Sequence, residues 1–303
     1  MRLRHPSGRL VHLSCGLSLD HGDGDHADDV TAAVARLDIA NAALRAHCGT
    51  GVRTVSLRLP ARLAARLADD GRARSWLRAE IDARGLEVLT LGGAPGQDTD
   101  EPDLDWSEPA RLRHTLALAR VLVDLLPFEE VRGALMTCGL GRAEEWDEAH
   151  QRAGARHLSR LSGGLADLAW RVGRAVRVGF EPGPGGVLDS PEQTVAALSR
   201  IDKDRLGLCL DLSAVVRDWA APLAGIDRLT DAGLSVITAR ITDPSIAWQP
   251  VLRHLLAADT ARTEYVDIDI PGTDEERGAA LAYVLEELTA LGLVAEQQPC
   301  TAP

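Results

Sequence analysis

The chain has 303 residues, 45% hydrophobic and 26% charged, the balance of an ordinary soluble globule with a large core. Its formal charge of −12 argues against a general affinity for nucleic acid or an anionic membrane. No apolar run approaches the roughly 20 residues that span a bilayer, and Met1–Gly8 lacks the apolar stretch of a signal peptide. Five scattered cysteines without a C-x-x-C pair fit reduced thiols in a cytoplasm, not a disulfide framework or a zinc ribbon. The single lysine, Lys203, stands in a polar Asp-Lys-Asp-Arg turn just before a strand, away from where a barrel would hold a Schiff base.

Short apolar runs alternate with long Ala/Leu/Arg stretches of helical period. The runs predict strands at 10–15, 52–59, 86–91, 131–137, 175–181, 206–211 and 235–241. Between them the period predicts helices at about 27–47, 61–84, 107–126, 143–171, 190–200 and 222–232. Ser107 and Ser190 each precede a proline within the first turn, and Ser190 has Gln193 three places on, a capping-box spacing. Gly85, Gly173 and Gly233 end helices just ahead of strands, where a C-cap glycine is expected. Seven βα units without a linker predict one α/β domain over 1–303, with flexible ends at 1–8 and 298–303. The most economical architecture is a (β/α)8 TIM barrel. A doubly wound sheet is the alternative, although Cys15-Gly-Leu-Ser-Leu is not its glycine-rich turn. The closing unit reads two ways. Either 264–270 is strand eight and 274–290 the last helix, or 264–270 is an extra strand and 292–297 closes the barrel.

Period-two alternation separates the faces of each strand. Leu206, Leu208 and Leu210 face the helices, which turns Gly207, Cys209 and Asp211 toward the axis. The same rule sends Arg177, Gly179 and Glu181 inward, along with Thr238 and Arg240, Ser56 and Arg58, and His12 and Ser14. Glu181, Asp211, Arg240 and Arg58 then fall at C-terminal strand ends, where barrel enzymes carry their chemistry. An ion-paired plug of the lumen would account for any one of them; two adjacent strands each ending in an acid favour function. His12 is the histidine best placed to act as acid or base. His5, His21, His26, His47, His150, His157 and His254 read as surface residues, and His114 as a packed or capping one. Cys209 reads as a buried, inert thiol. Gly183-Pro-Gly-Gly186 reads as a turn, because Pro184 has no N–H to offer a phosphate. Without a G-x-S-x-G elbow, a serine hydrolase has little support.

Phe180-Glu-Pro-Gly-Pro-Gly-Gly-Val-Leu-Asp189, followed by Leu206-Gly-Leu-Cys-Leu-Asp211, resembles the xylose-isomerase-like, or sugar phosphate isomerase/epimerase, barrels. Further stretches agree in order: His12–Cys15, Val55–Leu59, Gly85–Leu91, Pro102–Trp106, Arg111–Thr115 and Ala232–Val236. With these, the chain looks most like the metabolite traffic protein EboE group of that superfamily, over about 10–296. The resemblance implies a barrel mouth that binds a divalent metal through acids and a His or amide. The metal would hold a sugar-like substrate while a carboxylate moves a proton. Glu181 matches the strand-five ligand and Asp211 the strand-six ligand, and Glu296 matches the final acid if 292–297 closes the barrel.

The departures from that pattern are specific. Ala214 replaces a His three places after the strand-six acid, and Arg240 holds the strand-seven ligand position. Asp267-Ile-Asp269 replaces a His-x-His, Gly183 replaces a second acid, and the loop 95–101 is short, with Gly92 and Ala94 for an Asn and an aromatic. A guanidinium cannot ligate a cation, and buried carboxylates need neutralising. The expectation is therefore a metal-free site in which Arg240 takes the metal's place. Asp243 or Asp269 could restore a ligand, and oxygen-only ligation would then suit Mg or Mn.

These residues predict proton transfer on a small polar metabolite, sugar-derived or cyclitol-like, by an isomerase or epimerase of bacterial specialised metabolism. Glu181 would be the base, with His12 or Glu296 as its proton partner. Arg58 and Arg240, with Asp211 and Asp269, would hold substrate oxygens. A non-catalytic binding or traffic protein and a divalent-metal-dependent isomerase are the alternatives. The partner expected is a small molecule, not nucleic acid or membrane, and an apolar helix face could support an oligomer.

Overall fold

The apolar runs become strands and the Ala/Leu/Arg stretches become helices. The computed structural model describes residues 1–19, 30–48, 54–93 and 105–296. Strand β1 (Arg2–Arg4) precedes β2 (Leu10–Ser18) and α1 (Val30–Cys48). β3 (Thr54–Leu59) leads through α2 (Ala61–Asp69) and α3 (Gly71–Ala83) to β4 (Glu87–Gly93). Next come α4 (Pro109–Leu125), β5 (Arg132–Thr137), α5 (Glu148–Val172) and β6 (Ala175–Phe180). α6 (Pro191–Leu198) and β7 (Leu206–Asp211) are followed by α7 (Leu212–Asp218), α8 (Pro222–Asp231) and β8 (Val236–Ile241). The chain ends through α9 (Gln249–Ala257), β9 (Tyr265–Ile268), α10 (Asp274–Ala290) and β10 (Val294–Ala295).

Strands β2 to β9 pair in parallel in chain order, and β9 also pairs with β2, His12 opposite Tyr265 and Cys15 opposite Ile268. A parallel sheet that closes on itself after eight strands is a (β/α)8 barrel, and the doubly wound alternative, which is open, falls away. Strand eight is therefore Tyr265–Ile268 and the last helix is α10. The 292–297 segment does not close the barrel. It contributes β10, which runs antiparallel to β1, and β1 runs antiparallel along Leu10–His12 of β2. Both short strands thus lie at the N-terminal end of the barrel, and Arg2–Arg4, expected to be flexible, is paired on both edges. The segment 298–303 lies outside the described residues.

Local signals account for most boundaries. Ser190 and Gln193 form the reciprocal capping box of α6. Gly85, Gly173 and Gly233 all have φ near +70°, the left-handed turn after a helix that a side chain would oppose. The predicted helix at 61–84 is two, because Asp70 takes an extended conformation and caps α3 through the amides of Arg72 and Ala73. Helix α4 begins at Pro109, not Ser107, and Asp105 accepts from the Ser107 amide in the turn ahead of it. Helices α7 and α9 were not predicted. Val251, Leu252, Leu255 and Leu256 of α9 are buried at helical spacing, a signal short enough to pass for part of a long loop. No helix among the described residues is long and apolar enough to cross a membrane.

The core has two shells. Outward strand residues such as Leu206, Leu208 and Leu210 pack beneath the helices. The barrel interior is polar instead: Ser14, Ser56, Thr90, Thr238 and Asp267 are all buried. His157 is not a surface residue; it is buried, with Nδ1 3.0 Å from the Trp106 carbonyl oxygen, and Trp106 packs edge-on against Phe180. Lys203 donates to the Ala232 carbonyl at 2.6 Å, which fixes its turn at the N-terminal end of the barrel.

Candidate functional site

Parallel strands that tilt together bring their C-terminal ends to one rim. Glu181 follows β6 directly, Asp211 ends β7, Arg240 is the penultimate residue of β8, Asp269 follows β9 and Arg58 is the penultimate residue of β3. Asp211 and Arg240 are register partners across β7 and β8. The Arg240 guanidinium grips Glu181 with both terminal nitrogens, Nη2 to Oε1 and Nη1 to Oε2 at 3.1 Å. The same Nη2 stands 3.9 Å from Asp211 Oδ2. Arg58 pairs with Asp269 across the mouth. Gly16 makes room for that pair, since a Cβ there would come 2.5 Å from Asp269 Oδ1.

Burial works against the charge on Arg240, but Glu181, Asp269 and Asp211 outweigh it and raise the guanidinium further above its usual value. Burial raises the Glu181 carboxyl above the ordinary glutamate value, against the lowering exerted by Arg240 and Arg58. Asp211 has a second task. Its Oδ1 accepts from the amides of Ser213 and Ala214 as the N-cap of α7, and its Oδ2 accepts from Thr242 at 2.7 Å. Asp243 instead closes its own turn, accepting from Ser245 through amide and hydroxyl.

A cleft of about 280 Å³ opens beside this cluster, lined by Arg58, Arg111, His114, Cys138, Glu181 and Arg240 among others. It continues under the loops after β5 and β6, which are joined by a bridge between Arg142 and Gly186. Gly183–Gly186 is the turn of that arrangement, with a Gly186 N–H to Gly183 O bond of 3.1 Å.

Two expected members of the site are elsewhere. His12 faces the axis as the alternation requires, but it is four residues before Gly16, about 13 Å farther down the strand. There it stacks on Tyr265, and its Nδ1 lies 3.9 Å from Glu130. Burial lowers its pKa, with Glu130 opposing. Glu296 follows β10, bonds through its amide to Arg2 O and pairs with Arg4, at the N-terminal end. Alternation fixes the face of a residue but not its depth, and Glu296 depended on a closing strand that does not form. The final acid at the mouth is Asp269.

Among the described residues, the histidine that lines the mouth is His114. Burial and then Arg111 push it down to about 4, so the ring is neutral at physiological pH. Gly93 lies against it: a Cβ there would be 2.8 Å from Nε2. Arg111, His114 and Leu118 share one face of α4 at helical spacing, and all three line the cleft. That spacing was readable, but it could not show that the face turns to the mouth and not into the helix layer. Cys209 is fully buried one layer down, its thiol raised by burial. His21, His26 and the loop 95–101 lie outside the described residues.

Beneath the mouth, Asp267 is completely buried. Its Oδ1 accepts from Ser14 at 2.7 Å and Thr90 at 3.2 Å. Burial raises its carboxyl well above the ordinary aspartate value. A folded-state pKa above the unfolded one contributes stability at low pH that is lost as pH rises through that interval. Asp267→Asn is therefore expected to melt a few degrees higher than the parent at pH 8. The gap should close on acidification toward about pH 4, near the unfolded carboxyl value; melting curves across that range check it.

No described sequence family and no curated protein matches the chain. Solved structures do. A D-tagatose 3-epimerase-like protein superposes with a TM-score of 0.60 at 14% identity, covering 92% of this chain and 98% of that one. A putative sugar phosphate isomerase/epimerase from Anabaena variabilis gives 0.61 at 13% identity over 93% and 100%. A xylose isomerase-like TIM barrel protein from Mycobacterium smegmatis, in complex with magnesium, gives 0.61 at 17% over 93% and 97%. The fold is the xylose-isomerase-like barrel.

A magnesium-bound protein of this fold raises the question of a metal here, and among the described residues the donor set does not fit one. Among the described residues, no three His, Cys, Asp or Glu side chains stand together as a metal-binding set. The guanidinium of Arg240 lies between Glu181 and Asp211, and Asp269 is engaged by Arg58.

Proposed function

We propose that this xylose-isomerase-like barrel is a metal-independent proton-transfer enzyme of the isomerase or epimerase kind. Its substrate is a small sugar- or cyclitol-like carbonyl compound of bacterial specialised metabolism. The reading rests on the seat of Arg240, held by both oxygens of Glu181 and beside Asp211 at the centre of the mouth. A fixed cation there can balance developing oxyanion charge without coordination. Glu181, raised by burial, takes the proton from the carbon beside the carbonyl. The electron pair moves onto the carbonyl oxygen, and Arg240 and Arg58 balance the enediolate charge. His114, neutral, donates a hydrogen bond to the same oxygen. Return of that proton from Glu181 to the former carbonyl carbon, with passage of the adjacent hydroxyl's proton to the former carbonyl oxygen, makes the new carbonyl and completes an isomerisation. The resemblance of its sequence motifs to the EboE group supports reading the chain as a relative of that group.

A binding or traffic protein is the second reading. It is favoured by the bidentate grip of Arg240 on Glu181, which engages the base before any substrate arrives. Deuterium uptake separates the readings. The protein is incubated in D2O with a panel of 2-ketohexoses, D-tagatose included, and exchange beside the carbonyl is followed by proton NMR. Exchange that withstands EDTA supports the enzyme reading. Exchange that needs added Mn returns the site to metal chemistry, and calorimetric binding without exchange leaves the binding protein.

A further inference from the structure

A second cavity, about 610 Å³, opens at the N-terminal end of the barrel, opposite the mouth. Five arginines line it: Arg9, Arg132, Arg177, Arg205 and Arg262. Two acids, Asp204 and Glu264, share the lining. In a chain of net charge −12 this is a local excess of cations. The barrel brings it about, because Arg9, Arg132, Arg205 and Arg262 sit at or shortly before strand starts and Arg177 lies near the start of β6.

The arginines are not equally engaged. Arg177 forms the floor: it is buried, with its donors going to the Asp204 carbonyl, Glu264 and Ser235. Arg205 and Arg9 pair with Asp202 and Asp259, neither of which lines the cavity. Arg132 and Arg262 reach outward, their side chains 65% and 62% exposed. Arg132 is 4.0 Å from the Glu264 oxygen that Arg177 already holds at 3.1 Å, so one carboxylate serves two guanidinia. Arg262 has a 3.5 Å contact to Asp204, itself 84% exposed. Thr263, next to Arg262 in the chain, also lines the cavity and is 2% exposed. Arg262 also holds a left-handed backbone, φ 50°, which a bulky residue adopts at a cost.

We infer that this cavity is a second, non-catalytic site for a small phosphate-type oxyanion. Arg132 and Arg262, the two exposed guanidinia, grip the oxyanion. Guanidinium forks match the paired oxygens of phosphate, and the cavity leaves room for an organic remainder along exposed Leu10 and Ala169. The inference is independent of the chemistry proposed for the mouth.

Calorimetric titration of the full chain with inorganic pyrophosphate at low ionic strength tests it. The parent should bind at one site, more weakly as KCl is added. The Arg132→Leu/Arg262→Leu double variant should bind about tenfold or more weakly, a difference of about 1.4 kcal/mol or more. The single variants Arg132→Gln and Arg262→Gln, which keep a polar side chain, should each weaken binding severalfold and serve if the double variant misfolds. Arg58→Leu, at the mouth, should bind like the parent. No binding by the parent, binding that survives the double and both single arginine variants, or binding lost in Arg58→Leu would each overturn the assignment.

Discussion

Arg240→Leu is expected to destabilise the folded chain by about 3–5 kcal/mol at pH 8, the range seen when one partner of a buried ion pair is removed. Glu181 would keep its burial and lose both guanidinium contacts, and Asp211 would lose the cation beside it. The penalty belongs to ionised carboxylates, and without the cation Glu181 would titrate still higher than burial already places it. Its raised folded value means the cost is present above that value and vanishes as pH falls toward the unfolded one. Urea unfolding at pH 8 and pH 5 should show the deficit shrinking on acidification. Arg240→Lys should recover only part of it, since an ammonium cannot reproduce the two-pronged grip on Glu181. A deficit under about 1 kcal/mol, or one indifferent to pH, would mean that Arg240 does not neutralise the mouth.

Glu181→Gln should reduce deuterium exchange by about 10²–10⁴-fold, the usual contribution of a positioned general base. The fold should tolerate it, because Gln keeps an oxygen for Arg240, which retains Asp211 nearby. The pH profile carries further information. Because burial raises Glu181, the acidic limb of the rate should lie above the ordinary glutamate value of about 4.3, with the rate rising as the carboxyl ionises. His114, pushed down to about 4, is neutral across that limb and should not shape it. A Glu181→Gln variant that exchanges at the parental rate would remove Glu181 from the chemistry.

Much of this architecture was legible because strand and helix periods are local properties. The inward assignment of Glu181, Asp211, Arg240 and Arg58 followed from outward leucines and valines, and those four side chains do meet at the mouth. His12 shows where the method stops. Its face was right, but the period of a strand repeats every second residue and says nothing of which repeat reaches the rim. Glu296 shows a different limit. Whether Leu293–Glu296 or Tyr265–Ile268 closes the barrel depends on which segment pairs with both β8 and β2, and both segments are plausible strands when read alone.

By itself the sequence determined the alternating order of elements, the α/β class and an inward-facing arginine near the end of β8. Each of these is written in residue type and spacing along one segment. Only the tertiary structure decided which cations meet which acids: Arg240 with Glu181, Arg58 with Asp269, and Arg132 and Arg177 with Glu264. It alone brought His114 to the cleft, sent His12 and Glu296 to the far end, and gathered five arginines around a cavity. The reason is distance along the chain. Local preference acts over a few residues, but Arg58 and Asp269 are 211 residues apart, and only closure of the barrel makes them neighbours.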